Sequence, residues 1–253
     1  MTPVRKSPAP RASARASARS IAARVAALDW PSLTLALDRD GYALMPSLLA
    51  RDECRSIAAM FDAKQHFRSR IVMERQGFGS GEYKYFAYPL PATVASLRAA
   101  LYPRLAPLAN RWNEALGIDV RYPPEHAEFL DRCHRAGQTR PTPLLFRYGG
   151  GDYNRLHQDL YGEHLFPLQA LFMLSAPGRD FSGGEFVLTE QRPRMQSRAE
   201  VVSFGQGDAV IFAVRDRPIA GTRGSYRAVM RHGVSRVRAG RRHTLGIIFH
   251  DAL

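Results

Sequence analysis

Residues 147–159 read Arg-Tyr-Gly-Gly-Gly-Asp-Tyr-Asn-Arg-Leu-His-Gln-Asp, and this stretch decides the fold of the chain. Its three glycines and the aspartate after them form a turn between two short β-type runs, and the second run carries His157 and Asp159. On a strand, side chains two residues apart leave the same face. The sequence therefore predicts that this imidazole and this carboxylate point together, as two metal ligands would.

The sequence pattern typical of β-strands continues to the end of the chain. From Pro143 onward, short apolar runs recur about every ten residues, separated by Gly, Pro and Asp turns. Eight strands punctuated in this way predict an antiparallel sandwich, barrel or jelly roll. The predicted strands are 144–148, 155–160, 168–174, 185–189, 201–204, 209–214, 229–237 and 243–250.

The sequence before residue 143 favours helices. A strand at 42–46 precedes a helix that opens at Arg51, and residues 92–116 predict a helix interrupted at Pro103 and Pro107. Another short helix is predicted from residue 123 to about 137. We expect a mostly β protein with N-terminal helices: a disordered basic tail over 1–28, a helical N-terminal support with a substrate lid over 29–142, and the β core over 143–253.

Charge is concentrated at the two ends of the chain. The 253 residues carry a formal net charge of +13 at pH 7, and most of it lies in residues 1–28 and 201–253. The basic residues are 33 arginines and three lysines. Arginine forks match carboxylates and phosphates, so an acidic partner such as nucleic acid is one interpretation. The other is a GC-rich genome, whose codons favour Arg and Ala. The tail predicts either a solvated arm that contacts nucleic acid or a transit peptide.

Two cysteines, Cys54 and Cys133, are too few for a disulfide framework. We therefore expect a cytoplasmic protein in a reducing compartment. The longest apolar runs are too short to cross a bilayer, so no membrane partner is expected. A chain of this length can bury a full hydrophobic core without disulfides or structural metal sites.

A third metal ligand is predicted on the seventh strand. His232 lies there, and a jelly roll can bring that strand beside the one that carries His157 and Asp159. Two imidazoles and one carboxylate on one face of a metal leave three coordination positions open. That arrangement suits non-heme Fe(II), which must also hold a cosubstrate and O2.

Three further residues predict a pocket for a small dicarboxylate. Arg242 follows His232 by ten residues, and Thr244 lies two residues further on, so both point into the same lumen on an antiparallel strand. A guanidinium fork and a hydroxyl can together clamp a distal carboxylate. The phenol of Tyr148, nine residues before His157, can reach the same ligand.

These residues and spacings resemble the 2-oxoglutarate/Fe(II)-dependent dioxygenase superfamily, over residues 140–251 and a strand and helix from about residue 38. The resemblance implies a double-stranded β-helix flanked by helices. Residues 147–159 are similar to the AlkB-type nucleic-acid demethylases, and residues 231–250 resemble a bacterial oxygenase family described as acting on damaged DNA. The arginine ten residues after the distal histidine departs from the AlkB pattern and resembles prolyl-hydroxylase-like members.

The resemblance implies the chemistry as well. His157, Asp159 and His232 hold Fe(II), while Arg242, Thr244 and Tyr148 bind 2-oxoglutarate, and ascorbate serves as a supporting reductant. Decarboxylation of 2-oxoglutarate with O2 is coupled to hydroxylation of a C–H bond. On an N-methylated base of damaged DNA this amounts to demethylation and repair. The alternatives are a prolyl, protein or small-molecule hydroxylase, and a non-catalytic cupin-like binding protein.

Substrate contacts are predicted from two further segments. Aromatic residues at 78–88, among them Tyr83 and Tyr85, predict either a lid that stacks on an exposed base or a strand that packs over the sheet. Arginines near the third ligand, among them Arg223 and Arg227, predict either phosphate contacts or a solvated face.

Overall fold

The computed structural model describes residues 19–222 and 224–253, which form two facing antiparallel sheets with helices outside the larger one. The helices are α1 (Ile21–Ala26), α2 (Trp30–Asp40), α3 (Arg51–Ala59), α4 (Ala92–Ala115) and α5 (His126–Arg135). The strands are β1 (Tyr42–Met45), β2 (Phe67–Val72), β3 (Gly79–Ser80), β4 (Glu82–Phe86), β5 (Leu144–Tyr148), β6 (Tyr153–His157), β7 (Leu168–Met173), β8 (Phe181–Gly183), β9 (Phe186–Gln191), β10 (Arg198–Val202), β11 (Ala209–Ala213), β12 (Asp216–Gly221), β13 (Gly224–Val234), β14 (Val237–Gly240) and β15 (Arg242–Ile247).

The strands of the C-terminal half are shared between the two sheets. The larger sheet has the order β1-β11-β7-β15-β5-β4-β2, and the smaller one has β10-β9-β13-β6-β3, with β12 paired to β13. β5, β7, β11 and β15 thus face β6, β9, β10 and β13, which is the jelly roll, or double-stranded β-helix, that was predicted. Three strands of the N-terminal half, β1, β2 and β4, widen the larger sheet, so that half contributes strands as well as helices.

Two apolar cores lie on either side of the larger sheet. The helices pack on its outer face, where Trp112 and Phe129 meet Phe172, and the space between the sheets holds a second cluster with Leu171 and Phe212. Every residue of β7 and of β11 is buried, since these two strands lie in the middle of the sheet with both faces covered. This double burial accounts for their apolar runs, which only Gln169 of β7 interrupts.

Helix α4 is not interrupted at its prolines. The structure has one helix over Ala92–Ala115 with Pro103 and Pro107 inside it, so the predicted breaks are wrong. Proline costs a helix one backbone hydrogen bond, but residues on either side of Pro103, such as Leu101 and Leu105, are buried in the core and hold the helix together. Within the described ranges, no helix is both long and apolar enough to cross a bilayer.

The predicted disordered tail reaches too far along the chain. Residues 1–18 lie outside the described residues, but α1 belongs to the stretch that was assigned to the tail. Ile21 and Val25, one helical turn apart, are both buried. Arg24 pairs with Glu53 at 2.6 Å. Two apolar contacts and an ion pair therefore fix a segment whose composition alone indicates disorder.

A buried ion pair fastens the C-terminal segment to α4. Arg98 Nη2 lies 2.7 Å from Asp251 Oδ1, and both side chains are almost fully buried. Arg98 Nε also donates to the carbonyl oxygen of Ile248 at 2.8 Å, and Tyr88 donates to Asp251 Oδ2 at 2.9 Å. Burial alone would raise the pKa of Asp251, but the Arg98 charge and the hydrogen bonds from His134, Arg98 and Tyr88 lower it.

We expect Asp251→Asn to lower the free energy of unfolding by about 3–5 kcal/mol, since it leaves the Arg98 charge buried without its counterion. Urea denaturation measures this loss. The pKa of Asp251 in the folded state lies below its ordinary value of 3.8. Its contribution is therefore complete above that value and is lost as the pH falls through the lowered pKa, so the two proteins should converge in acid.

The control variant is Arg135→Ala, which removes an exposed ion pair with Asp131 on α5. An exposed pair of this kind contributes about 0.5 kcal/mol or less. Equal losses in Asp251→Asn and Arg135→Ala would contradict the assignment of Asp251 as a structural anchor.

Candidate metal centre and cosubstrate pocket

His157, Asp159 and His232 come together between the two sheets. His157 ends β6, and His232 on β13 is its direct cross-strand partner, with ring centres 4.2 Å apart. Asp159 Oδ1 lies 3.5 Å from His157 Nε2, and Asp159 Oδ2 lies 3.2 Å from His232 Nε2. The three ligand atoms all lie within 4.8 Å of one another, a spacing that one metal ion can bridge.

Asp159 reaches this cluster from a loop and not from a strand. The predicted strand 155–160 ends at His157, where the ladder to β13 also ends. The following loop turns the carboxylate back toward both imidazoles. Tyr161, two residues further on, donates its hydroxyl to Asp159 Oδ1 at 2.8 Å. The carboxylate is therefore oriented by a neighbour in the same loop, where the strand pleat was expected to do so.

The donor atoms of the cluster suit a metal. His157 Nδ1 donates to the carbonyl oxygen of Arg155 at 2.7 Å, which directs Nε2 toward the carboxylate. Burial would lower the pKa of His157, but its contact with Asp159 raises it, while burial and the nearby His157 lower the pKa of His232. Burial would raise the pKa of Asp159, but the two imidazoles hold it well below its usual range. Two nitrogen donors and one ionised carboxylate match the facial ligand set of non-heme Fe(II).

A buried arginine with two unpaired nitrogens lies near the same space. Arg242 on β15 is fully buried, and its Nη1 donates to Thr244 Oγ1 at 3.3 Å. Its Nε and Nη2 have no acceptor among the described residues. Tyr148 is its cross-strand partner, with the guanidinium carbon 5.5 Å from the phenol ring centre. Burial lowers the pKa of Arg242 to about 10, so this group would be stabilised by an anion.

The three candidate metal ligands and two neighbours of Arg242 border one cavity. Both histidines, Asp159, Tyr148 and Thr244 line it. Its other lining residues are mostly apolar, with Asn154 and Gln169 as the polar exceptions. A ligand that fits must chelate a cation at one end and present a carboxylate at the other. The geometry therefore suits 2-oxoglutarate together with Fe(II).

A second cavity of about 340 Å³ opens beside the metal ligands. We call it the front cavity; Phe78, Tyr83 and Leu156 border it together with His157 and Asp159. Tyr85 does not border it: the ring edge of Tyr85 lies against Tyr83 and Tyr161, behind the cavity wall. Tyr83 and Tyr85 leave the same face of β4, but only Tyr83 reaches the front cavity, and Tyr85 packs against it.

A third cavity, of about 210 Å³, lies on the other side of the loop 158–165. We call it the rear cleft. It shares Asp159 and Leu160 with the front cavity, and its walls come from the helices, this loop and the start of β12. Further residues that border the rear cleft are Trp112, Val120, Phe129, Arg132, Glu163, Arg215 and Asp216.

Arg227, one of the two arginines predicted to contact substrate, does not border the front cavity. Arg227 is exposed on β13, with its Nη1 3.7 Å from Asp216 Oδ2, so it belongs to the side of the rear cleft. Arg223 lies outside the described residues. Arg155, which sequence reasoning missed, is exposed and borders the front cavity. It lies two residues before His157, and that spacing on a strand would have been the signal.

Two other residues of the site were also missed. Tyr161 repeats the two-residue interval after Asp159, but its contact depends on a loop conformation that no periodicity specifies. Gln169 lies in the apolar run of β7 and borders the cavity with the metal ligands. A single polar residue inside such a run is the available signal, because a buried amide needs a partner.

Comparison with known proteins identifies the family. Residues 81–252 match a family described as oxygenases that catalyse oxidative methylation of damaged DNA. An uncharacterized protein of Mycobacterium tuberculosis, found in two strains, is 48% identical over 167 residues, which make up 66% of this chain and 72% of that protein.

Solved structures with the same fold include an oxidoreductase of the 2OG-Fe(II) oxygenase family from Burkholderia pseudomallei, with a TM-score of 0.50 and 16% identity over 89% of this chain and 94% of that one. Prolyl 4-hydroxylases from Phytophthora capsici give a TM-score of 0.51 and 15% identity over 90% of this chain and 64% of that one. Identities this low establish the fold alone. The family match covers most of the chain, and the cofactors are Fe(II), 2-oxoglutarate and O2. The chain belongs to this oxygenase family and is a 2-oxoglutarate- and Fe(II)-dependent oxygenase.

Proposed function

We propose that this oxygenase hydroxylates the methyl group of an N-methylated base in DNA. The product, an N-hydroxymethyl base, releases formaldehyde and leaves the repaired base. The observation that carries the proposal is the match of residues 81–252 to a family described by its action on damaged DNA. The non-catalytic cupin-like alternative is not retained, because the chain belongs to an oxygenase family.

We assign His157, Asp159 and His232 as the ligands of Fe(II), and Arg242, Thr244 and Tyr148 as the site of the distal carboxylate of 2-oxoglutarate. When bound, the iron and 2-oxoglutarate activate O2, yield succinate and CO2, and supply the oxidant for the C–H bond. The protein residues bind and orient the iron and 2-oxoglutarate. The imidazoles present Nε2, the ionised carboxylate compensates the metal charge, and the buried guanidinium acquires its missing acceptor.

The front cavity supports a base as the substrate. It lies directly beside the metal ligands, and Phe78 and Tyr83 offer aromatic surfaces on its wall. Aromatic side chains stack on the faces of unpaired bases. Arg155, exposed at the same cavity, is placed for a phosphate that flanks the base.

A hydroxylase of prolyl residues, other protein residues or small molecules remains the second candidate. The spacing of ten residues between His232 and Arg242 favours it, since that spacing resembles prolyl-hydroxylase-like members of the superfamily. The front cavity would then hold a peptide side chain, and its apolar wall would suit proline.

The decisive experiment measures succinate and formaldehyde from the full chain with Fe(II), 2-oxoglutarate and ascorbate. The substrates are single-stranded DNA with N-methylated bases, the same DNA without methyl groups, and proline-containing peptides. We expect both products in proportion with methylated DNA only, and none with His232→Ala, which lacks one of the assigned metal ligands. Stimulation by the peptides, with no response to methylated DNA, would establish the second candidate instead.

The metal assignment predicts a specific effect of Tyr161→Phe. Loss of the hydroxyl that orients Asp159 should weaken metal binding about 10-fold or more, measured by anaerobic titration with Fe(II) or by Mn(II) binding. The matched control is Tyr102→Phe, which removes a hydroxyl that donates to the carbonyl oxygen of Pro123 at 3.0 Å, far from the site. That control should lower thermal stability without changing metal affinity. Unchanged metal affinity in Tyr161→Phe would remove Tyr161 from the site.

The nucleic-acid assignment predicts a role for the charge of Arg155. Arg155→Gln should raise the KM for methylated single-stranded DNA and reduce the slope of its salt dependence by about one, as the loss of one phosphate contact does. Arg104→Gln removes the same charge from the exposed face of α4 and should change neither quantity. An identical salt dependence in all three proteins would mean that Arg155 contacts no phosphate.

A further inference from the structure

Gln169 is a buried amide without a partner. It lies on β7, is 5% exposed, and its Nε2 has no hydrogen-bond acceptor among the described residues. Its neighbours on the same strand face, Leu171 and Met173, belong to the apolar cluster between the sheets. Gln169 therefore points inward, and it borders the cavity that also contains the three metal ligands and Thr244. Burial of an unpaired amide costs stability, so an apolar residue would pack better there.

The strand registers place Gln169 at the metal end of that cavity. Its cross-strand partner on β11 is Phe212, whose ring centre lies 4.8 Å from that of His232. On the other side of β7, Met173 is paired with Thr244. Gln169 is four residues from Met173, which at about 3.3 Å per residue corresponds to roughly 13 Å along the strand. Gln169 and Thr244 thus border one cavity at positions well separated along the strands, and Arg242 lies beside Thr244 behind that second position.

We propose that the Gln169 amide donates a hydrogen bond to the 1-carboxylate of 2-oxoglutarate, the carboxylate next to the 2-oxo group. This inference rests on the proposed role of Arg242 at the opposite, 5-carboxylate end. A five-carbon dicarboxylate with a hydrogen bond of about 2.9 Å at each end spans on the order of 12 Å, the same order as the backbone offset of roughly 13 Å between Gln169 and the register position of Thr244. The pocket then meets both ends of the cosubstrate with a buried donor that is otherwise unpaired.

Oxalate separates the two ends of the pocket, because it reproduces the metal-chelating end of 2-oxoglutarate and lacks the distal carboxylate. Dissociation constants of oxalate and of 2-oxoglutarate are measured on the Mn(II)-loaded protein without turnover. We expect Gln169→Leu to weaken both ligands by a similar factor, about 10-fold, which corresponds to about 1.4 kcal/mol. Arg242→Leu should weaken 2-oxoglutarate and leave oxalate unchanged.

A second measurement guards against a general loss of structure. Gln169→Leu should raise the melting temperature of the metal-free protein, since it replaces an unpaired buried amide with an apolar side chain. The matched control is Gln206→Leu, whose amide donates to the carbonyl oxygen of Leu174 at 2.8 Å. We expect that control to lower the melting temperature and to leave both dissociation constants unchanged.

The outcomes distinguish a failure of the Gln169 proposal from a failure of the proposed function. Unchanged oxalate affinity in Gln169→Leu would overturn the proposal, whether the affinity for 2-oxoglutarate falls or not. A lower melting temperature with unchanged affinities would make Gln169 a structural residue and overturn it equally. If Arg242→Leu binds 2-oxoglutarate as well as the wild type does, the cosubstrate pocket itself is misassigned, which is a failure of the proposed function.

Discussion

The pairing of β6 with β13 is the constraint on which the site depends. It sets His157 opposite His232, and a slip of one residue would turn one of the two imidazoles out of the interior. The ladder shifts register just beyond this pair, between His232 and Val234. A Cβ on Gly233 would lie 2.7 Å from the carbonyl oxygen of Asn154, so the two strands approach closely only because residue 233 has no side chain. The relative positions of the two histidines therefore depend first on how closely the backbones of β6 and β13 approach.

The distribution of unpaired polar atoms distinguishes the site from the rest of the interior. Of the seven buried side-chain polar atoms that lack a partner in the described ranges, four belong to Gln169, His232 and Arg242. Two fully buried arginines elsewhere are well paired. Arg217 donates to Glu190 at 3.0 Å and to a carbonyl oxygen of α2 at 2.8 Å, and Arg98 has a similar set of acceptors. These two arginines have acceptors within the protein for all their nitrogens, whereas Arg242 has two nitrogens without one.

The sequence predicts the parts of the site that depend on strand periodicity. The interval from Arg242 to Thr244 places both on the inner face of β15, and the eight core strands follow from turn spacing. The spacing of two residues from His157 predicts that Asp159 lies on the same strand. In the structure the strand ends at His157, and the loop that follows directs the carboxylate of Asp159 toward both imidazoles. Contacts made across the fold, such as that of Tyr161 with Asp159, have no local signature.

Errors in the helical half have a different cause. Local chemistry indicates breaks at the prolines of α4 and disorder in the segment of α1, and in both places burial against the core outweighs that local preference. Tertiary contacts of this kind cannot be read from composition. The predictions therefore agree best with the structure in the β core, where the strand periodicity and the packing of the sheets require the same pattern of apolar residues.

The loop 158–165 contributes to three structural features. It carries Asp159, it forms a wall of the front cavity, and it forms a wall of the rear cleft, with Leu160 exposed between the two. Glu163 borders only the rear cleft and Tyr161 only the front cavity, but a change at Asp159 or Leu160 alters the walls of both. The front cavity is consequently easier to reshape on its own from the opposite wall, where Tyr83 on β4 borders it, than from residues 159 and 160.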